Sequence, residues 1–141
     1  MAANTAPIFT RLGDAQWTTS AMTSANNTYD LTSGVIYPVF TADTTNGGFV
    51  QRIRFKPLGT NGAATVCRVF INNGLTTATA ANNTMWDEIS LPTTTASATA
   101  ALATYELPLN IALPASYRIY CVVATAPTSA GWNATVIGGK Y

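Results

Sequence analysis

The sequence predicts an all-β fold, an antiparallel β-sandwich of the jelly-roll type with about eight or nine strands. Three observations predict it. Hydrophobic alternation with a period of two recurs along the chain, Asn-Gly dipeptides sit between the alternating runs, and turn signals return at intervals of roughly ten residues.

The elements follow in chain order. Two short candidates come first, at Pro7–Leu12 and Ala15–Ala21. Gly34–Ala42 (GVIYPVFTA) reads as a strand, and Pro38 marks it as an edge or a bulge because proline cannot donate to a ladder. Next, Phe49, Gln51, Ile53 and Phe55 share one face while Val50, Arg52, Arg54 and Lys56 share the other. Cys67, Val69 and Ile71 then oppose Val66, Arg68 and Phe70. Three further apolar rows are Met85-Asp87-Ile89-Leu91, Tyr105-Leu107-Leu109-Ile111 and Tyr117-Ile119-Cys121-Val123. Trp132, Ala134 and Val136 line the last run. Asn46-Gly47, Asn61-Gly62 and Asn73-Gly74 supply the positive φ angles of hairpin turns, which predicts consecutive antiparallel pairings over Gly34–Leu91. Thr93–Thr104 lacks alternation and a strong apolar stripe, so it is expected as a surface loop with at most one helical turn. Residues 1–12 are expected to form an N-terminal arm or first strand, held by a neighbour, and 13–141 a single sandwich domain.

Composition narrows the function. The chain is 48% hydrophobic but only 9% charged, against roughly 25% in an average domain. Its apolar runs are short, as at Ile119–Ala124, far below the ~20 residues of a membrane helix, so no membrane partner is expected. Met1–Leu12 lacks the basic start and apolar core of a secretion signal, and a soluble protein is expected. Thr and Ala together supply about a third of the residues, and the formal net charge is +1. A weakly charged, Thr-rich exterior associates readily and suits a surface that neighbours cover. Cys67 and Cys121 each lie mid-strand between apolar residues and are expected as buried free thiols; their pairing stays open on sequence alone.

No catalytic residue is nominated, and a non-enzymatic protein is expected. The sequence contains no histidine, which removes the commonest general base, nucleophile partner and metal ligand together. Asp87 and Glu88 are adjacent in a strand and point to opposite faces, so they cannot form a glycosidase pair; Asp87 with Glu106 is recommended by nothing in the pattern. Zinc, calcium and phosphate-loop spacings are missing, so no metal or cofactor is expected. The sequons at Asn26, Asn82 and Asn133 follow from an Asn/Thr-rich composition. Arg52, Arg54 and Lys56 make a basic stripe that suits an acidic protein surface or a solvated face, and is too sparse for nucleic acid. Trp17, Trp86 and Trp132, with Tyr29, Tyr37 and Tyr120, are either core and contact residues or stacking platforms for a glycan.

The C-terminal third carries a likeness. Leu107–Tyr141 reads LPLNIALPASYRIYCVVATAPTSAGWNATVIGGKY: Ala112–Arg118, a strand, an Ala/Thr turn, Gly131-Trp132, then a final strand ending in Gly-Gly-x-Tyr. Together with Val66–Gly74 (VCRVFINNG), it resembles small virion proteins encoded in the structural gene clusters of tailed bacteriophages. The resemblance covers about two thirds of the chain and is one of composition and strand order. It implies a β-sandwich subunit of the virion, often a trimer at capsid symmetry positions, assembled in the host bacterial cytoplasm. Its partners would be copies of itself and the major capsid protein or another virion protein. It carries over no functional residues. Candidate subunit-interface residues are Met1, Ala2, Ala3, Asn4, Arg52, Arg54, Lys56 and Tyr141. The leading expectation is therefore a capsid-decorating, stabilising subunit. The alternative is a receptor- or glycan-binding module of a head fibre, tail fibre or baseplate. An ice-binding reading, suggested by Thr-x-Thr at Thr77–Thr79 and Thr93–Thr95, ranks last because those threonines lie in irregular segments.

Overall fold

The computed structural model describes residues 10–141. Among these, eight strands run in order: β1 (Leu12–Trp17), β2 (Tyr37–Thr41), β3 (Gly48–Pro57), β4 (Thr65–Asn72), β5 (Asn83–Leu91), β6 (Tyr105–Leu113), β7 (Arg118–Val123) and β8 (Trp132–Lys140). They form two four-stranded sheets, β1-β8-β3-β6 and β2-β7-β4-β5, in which every pairing is antiparallel. The pairs β1–β8, β2–β7, β3–β6 and β4–β5 nest inside one another, so the chain is a long hairpin with its tip at β4–β5. Rolling that hairpin up brings β8 beside β3 and β7 beside β4. This is the jelly roll, and the predicted fold class holds.

The core lies between the sheets. Val50, Ile53, Phe55, Trp132, Ala134 and Val136 face Val39, Cys67, Val69, Ile119, Cys121 and Val123 across it. The expected rows on β4, β7 and β8 are thus found in place. Two rows need correcting because an extra residue shifts their phase. In β3 the register breaks between Val50 and Arg52, so Gln51 bulges out to solvent and Val50 turns inward with Ile53 and Phe55. In β5 the break leaves Trp86 as the extra residue, and Met85 comes to lie opposite Phe70, away from the core. Pro38 is both things expected of it, on edge strand β2 and beside a register shift.

The Asn-Gly readings also need correction. Only Asn73-Gly74 joins sheet neighbours, in a long β4–β5 connection that holds a 3-10 turn at Ala80–Asn82. Asn46-Gly47 and Asn61-Gly62 lie where the chain crosses from one sheet to the other, so consecutive pairing over Gly34–Leu91 fails. Gly47 does adopt the positive φ of 76°, and a Cβ there would lie 2.3 Å from the Leu113 carbonyl oxygen. Asn61 acts through its side chain instead. Fully buried, it accepts from Gly131 N–H at 2.7 Å and donates to the Gly131 carbonyl at 3.2 Å, while its backbone pairs with Thr94. One amide thereby ties together the β3–β4, β5–β6 and β7–β8 connections. Thr93–Thr104 is a loop as expected, without a helical turn. The first strand begins at Leu12 and ends at Trp17, between the two short candidates, and residues 1–9 of the expected arm lie outside the described residues.

Candidate contact surface

The two outer sheet faces differ, and the difference comes from one long connection. Residues 18–36 leave β1 and fold over the outer face of β2-β7-β4-β5. Leu31 packs there on Phe70, Tyr120 and Val122, with Ile36 at the margin. Arg68, buried in the middle of that face, clamps the connection down. Its Nε meets Glu88 Oε1 on β5 at 2.7 Å, one terminal nitrogen donates to Asn27 Oδ1 at 2.7 Å and the other to Tyr29 Oη at 2.8 Å. The Tyr29 ring lies 3.8 Å from the guanidinium carbon, with its far side open to solvent. At the corner between β1 and β2, the Gln16 amide bonds both ways to the Thr41 backbone, donating at 2.9 Å and accepting at 2.9 Å, which joins the edges of the two sheets.

The outer face of β1-β8-β3-β6 carries no such cover among the described residues. Register places its side chains in rows across the strands: Trp17-Thr135-Arg54-Glu106, then Ala15-Ile137-Arg52-Pro108, then Gly13-Gly139-Phe49-Ala112. Trp17 is 59% exposed. The basic stripe sits at the centre of this face, and Arg52 and Arg54 share one carboxylate, with Nε to Glu106 Oε1 distances of 3.5 and 3.2 Å. Arg52 Nε has no hydrogen-bond partner. Lys56 donates to the Leu102 carbonyl. Of the other candidate interface residues, Tyr141 is half-buried just past β8, and Met1, Ala2, Ala3 and Asn4 lie outside the described residues. The sequence missed Glu106 and Trp17 as members of this face. Glu106 stands between the inward Tyr105 and Leu107, so its outward direction was legible, but the β3–β6 pairing that sets it against the arginines was not.

The aromatic candidates divide. Trp132, Tyr37 and Tyr120 are buried, and Trp132 meets Tyr105 edge-on at 5.6 Å, so none of these three is a platform. Trp17, Tyr29 and Trp86 remain exposed. Asp87 and Glu88 pair with Val69 and Arg68 respectively and so take opposite faces, as expected. Among the described residues no three His, Cys, Asp or Glu side chains gather as metal ligands, and no helix is long and apolar enough to cross a membrane. Cys67 and Cys121 are free and buried on adjacent strands; burial, with the Cys121 thiol beside it, pushes the Cys67 thiol well above its ordinary range. That keeps Cys67 protonated and unreactive. An open groove of about 610 Å³ lies at the end of the second sheet, walled by Thr65, Val66, Leu91, Pro92 and Tyr105, with no charged group in its lining.

No protein-family model and no curated protein matches the chain. Among solved structures it is similar to a chain of infectious bursal disease virus, Gt strain, with 10% identity and a TM-score of 0.32 over 98% of this chain and 35% of that one. A chain of the Gx strain gives 14% identity and a TM-score of 0.31, over 100% and 37%. The chain thus spans little more than a third of the length of either viral chain. At that level of likeness the jelly-roll assignment stands on the strand order described above.

Proposed function

We propose that this protein is a non-enzymatic structural subunit of a virion, one that decorates and stabilises the head of a tailed bacteriophage. The observation that carries the reading is the asymmetry of the sandwich. One outer face is sealed by the chain's own connection, whereas the other presents Trp17, Ile137, Arg52, Arg54 and Pro108 with nothing described above them. Mixed aromatic and arginine surfaces are characteristic of protein contacts. A near-neutral jelly roll with such a face is built to be one tile among others. The jelly roll is a recurrent capsid architecture, and the likeness of Leu107–Tyr141 to small virion proteins points the same way. Mass spectrometry of purified particles is expected to find the chain in stoichiometric amounts; its absence from them overturns the reading.

A second reading, a glycan- or receptor-binding module, is favoured by Tyr29, whose ring rests on Arg68 and turns its other side to solvent. A glycan array separates the two readings. Binding abolished by Tyr29→Ala or Trp86→Ala supports a sugar platform, and an array without signal leaves the structural role.

A further inference from the structure

The charges of this chain are few, yet they are sorted. On the open face of β1-β8-β3-β6, Arg52, Arg54 and Lys56 stand against Glu106 alone, an excess of two positive charges. At the opposite rim, along β5 and the connection folded against it, Asp30, Asp87 and Glu88 stand against Arg68 alone, an excess of two negative charges. The two patches belong to different sheets. Each also holds an exposed tryptophan, Trp17 on the face (59%) and Trp86 on the rim (47%).

We infer that the basic face of one copy of this chain docks on the acidic β5 rim of a second copy, head to tail. A two-fold contact of either patch with itself would set like charges together, so the complementary arrangement is heterologous, and its repetition closes into a ring or continues as a filament. Chemistry favours a second copy as the occupant. The rim offers carboxylates where the face offers guanidinium groups, and Arg52 Nε still lacks a hydrogen-bond partner. The bulge at Trp86 interrupts the ladder of edge strand β5, which argues for side-chain docking on the rim over extension of the sheet. The inference deepens the reading of the open face as a subunit contact, without depending on which particle the subunit joins.

Sedimentation of the full chain tests it. The wild type is expected to run as a multiple of 14.8 kDa in dilute salt and to fall apart as salt rises. Arg52→Glu with Arg54→Glu blocks the face, and Asp87→Lys with Trp86→Ser blocks the rim. Each is expected to be a folded monomer by circular dichroism, and Trp17→Ser blocks the face from β1 should the arginine changes disturb the fold. Mixed one to one, a face-blocked and a rim-blocked variant retain one intact patch each and are expected to form a complex of two copies and nothing larger. A monomeric wild type in dilute salt at about 0.1 mM overturns the inference. So do single variants that still assemble, or a mixture that stays monomeric. Incorporation into particles is measured separately, so a chain found in virions that fails this test sinks the contact and spares the virion role, and the reverse result does the opposite.

Discussion

At the scale of single residues, two buried groups hold more than their neighbourhood. Asn61 supplies donor and acceptor to Gly131 and reaches Thr94 Oγ1, all without access to water. Removing the amide strands buried backbone groups, which costs about 1–3 kcal/mol for each polar group left unpaired. Asn61→Ala is therefore expected to destabilise the fold by about 3 kcal/mol in urea titration, and Asn61→Asp by at least as much, because it buries a carboxylate facing a carbonyl. A loss below about 0.5 kcal/mol would show that the three connections hold without it. Cys67 makes a prediction in pH. Its thiol is raised in the fold above the unfolded value, so the folded state keeps a proton that the unfolded chain sheds near 9.0. The stability it contributes is complete below that pH and is lost as pH rises beyond it. Cys67→Val is expected to flatten the alkaline decline in melting temperature; an unchanged slope would assign the decline to other groups. Neither role was plain in the sequence. The burial of Cys67 was legible from Val66 and the alternation, but Asn61 looked like a turn residue because Asn-Gly is so strong a turn signal.

At the scale of elements, alternation told which segments are strands and most of which side faces in, but it could not count bulges. One extra residue at Gln51 inverts the phase of the first part of β3, and one at Trp86 does the same in β5. Nor does alternation name a strand's partners. Asn-Gly dipeptides suggested neighbours in sequence order, whereas the sandwich uses two of the three as crossings between sheets. The basic stripe was readable as a stripe, while its setting of Trp17, Thr135 and Glu106 depends on β1, β8 and β6, distant in sequence and adjacent in space. The corner at Gln16 is another consequence of topology. Two hydrogen bonds to Thr41 join the free edges of β1 and β2, each worth about 1 kcal/mol net. Gln16→Ala is expected to cost about 1–2 kcal/mol and to open β1 amides to hydrogen exchange ahead of the other strands. Equal protection across β1 and β4 in that variant would argue that the corner closes without the amide.

At the scale of the whole molecule, the nested hairpin sets an order of assembly. Its tip, β4 with β5, joins strands separated by one connection, while its base pairs Leu12 with Lys140 at the two ends of the described chain. Closing the base first would require ordering nearly all of the chain for one ladder, and long loops cost entropy before their contacts repay it. The transition state is therefore expected to contain the tip and its neighbour β7, with β1 and its corner added late. Refolding should fall in the millisecond-to-second range typical of sandwiches dominated by non-local pairs. Two substitutions then separate in a chevron. Val69→Ala, in the buried centre of β4, should slow folding, and Gln16→Ala should leave the folding limb in place and speed unfolding. If Gln16→Ala slowed folding in proportion to its full loss of stability, the corner would belong to the nucleus, and the roll would close from its base rather than grow from its tip.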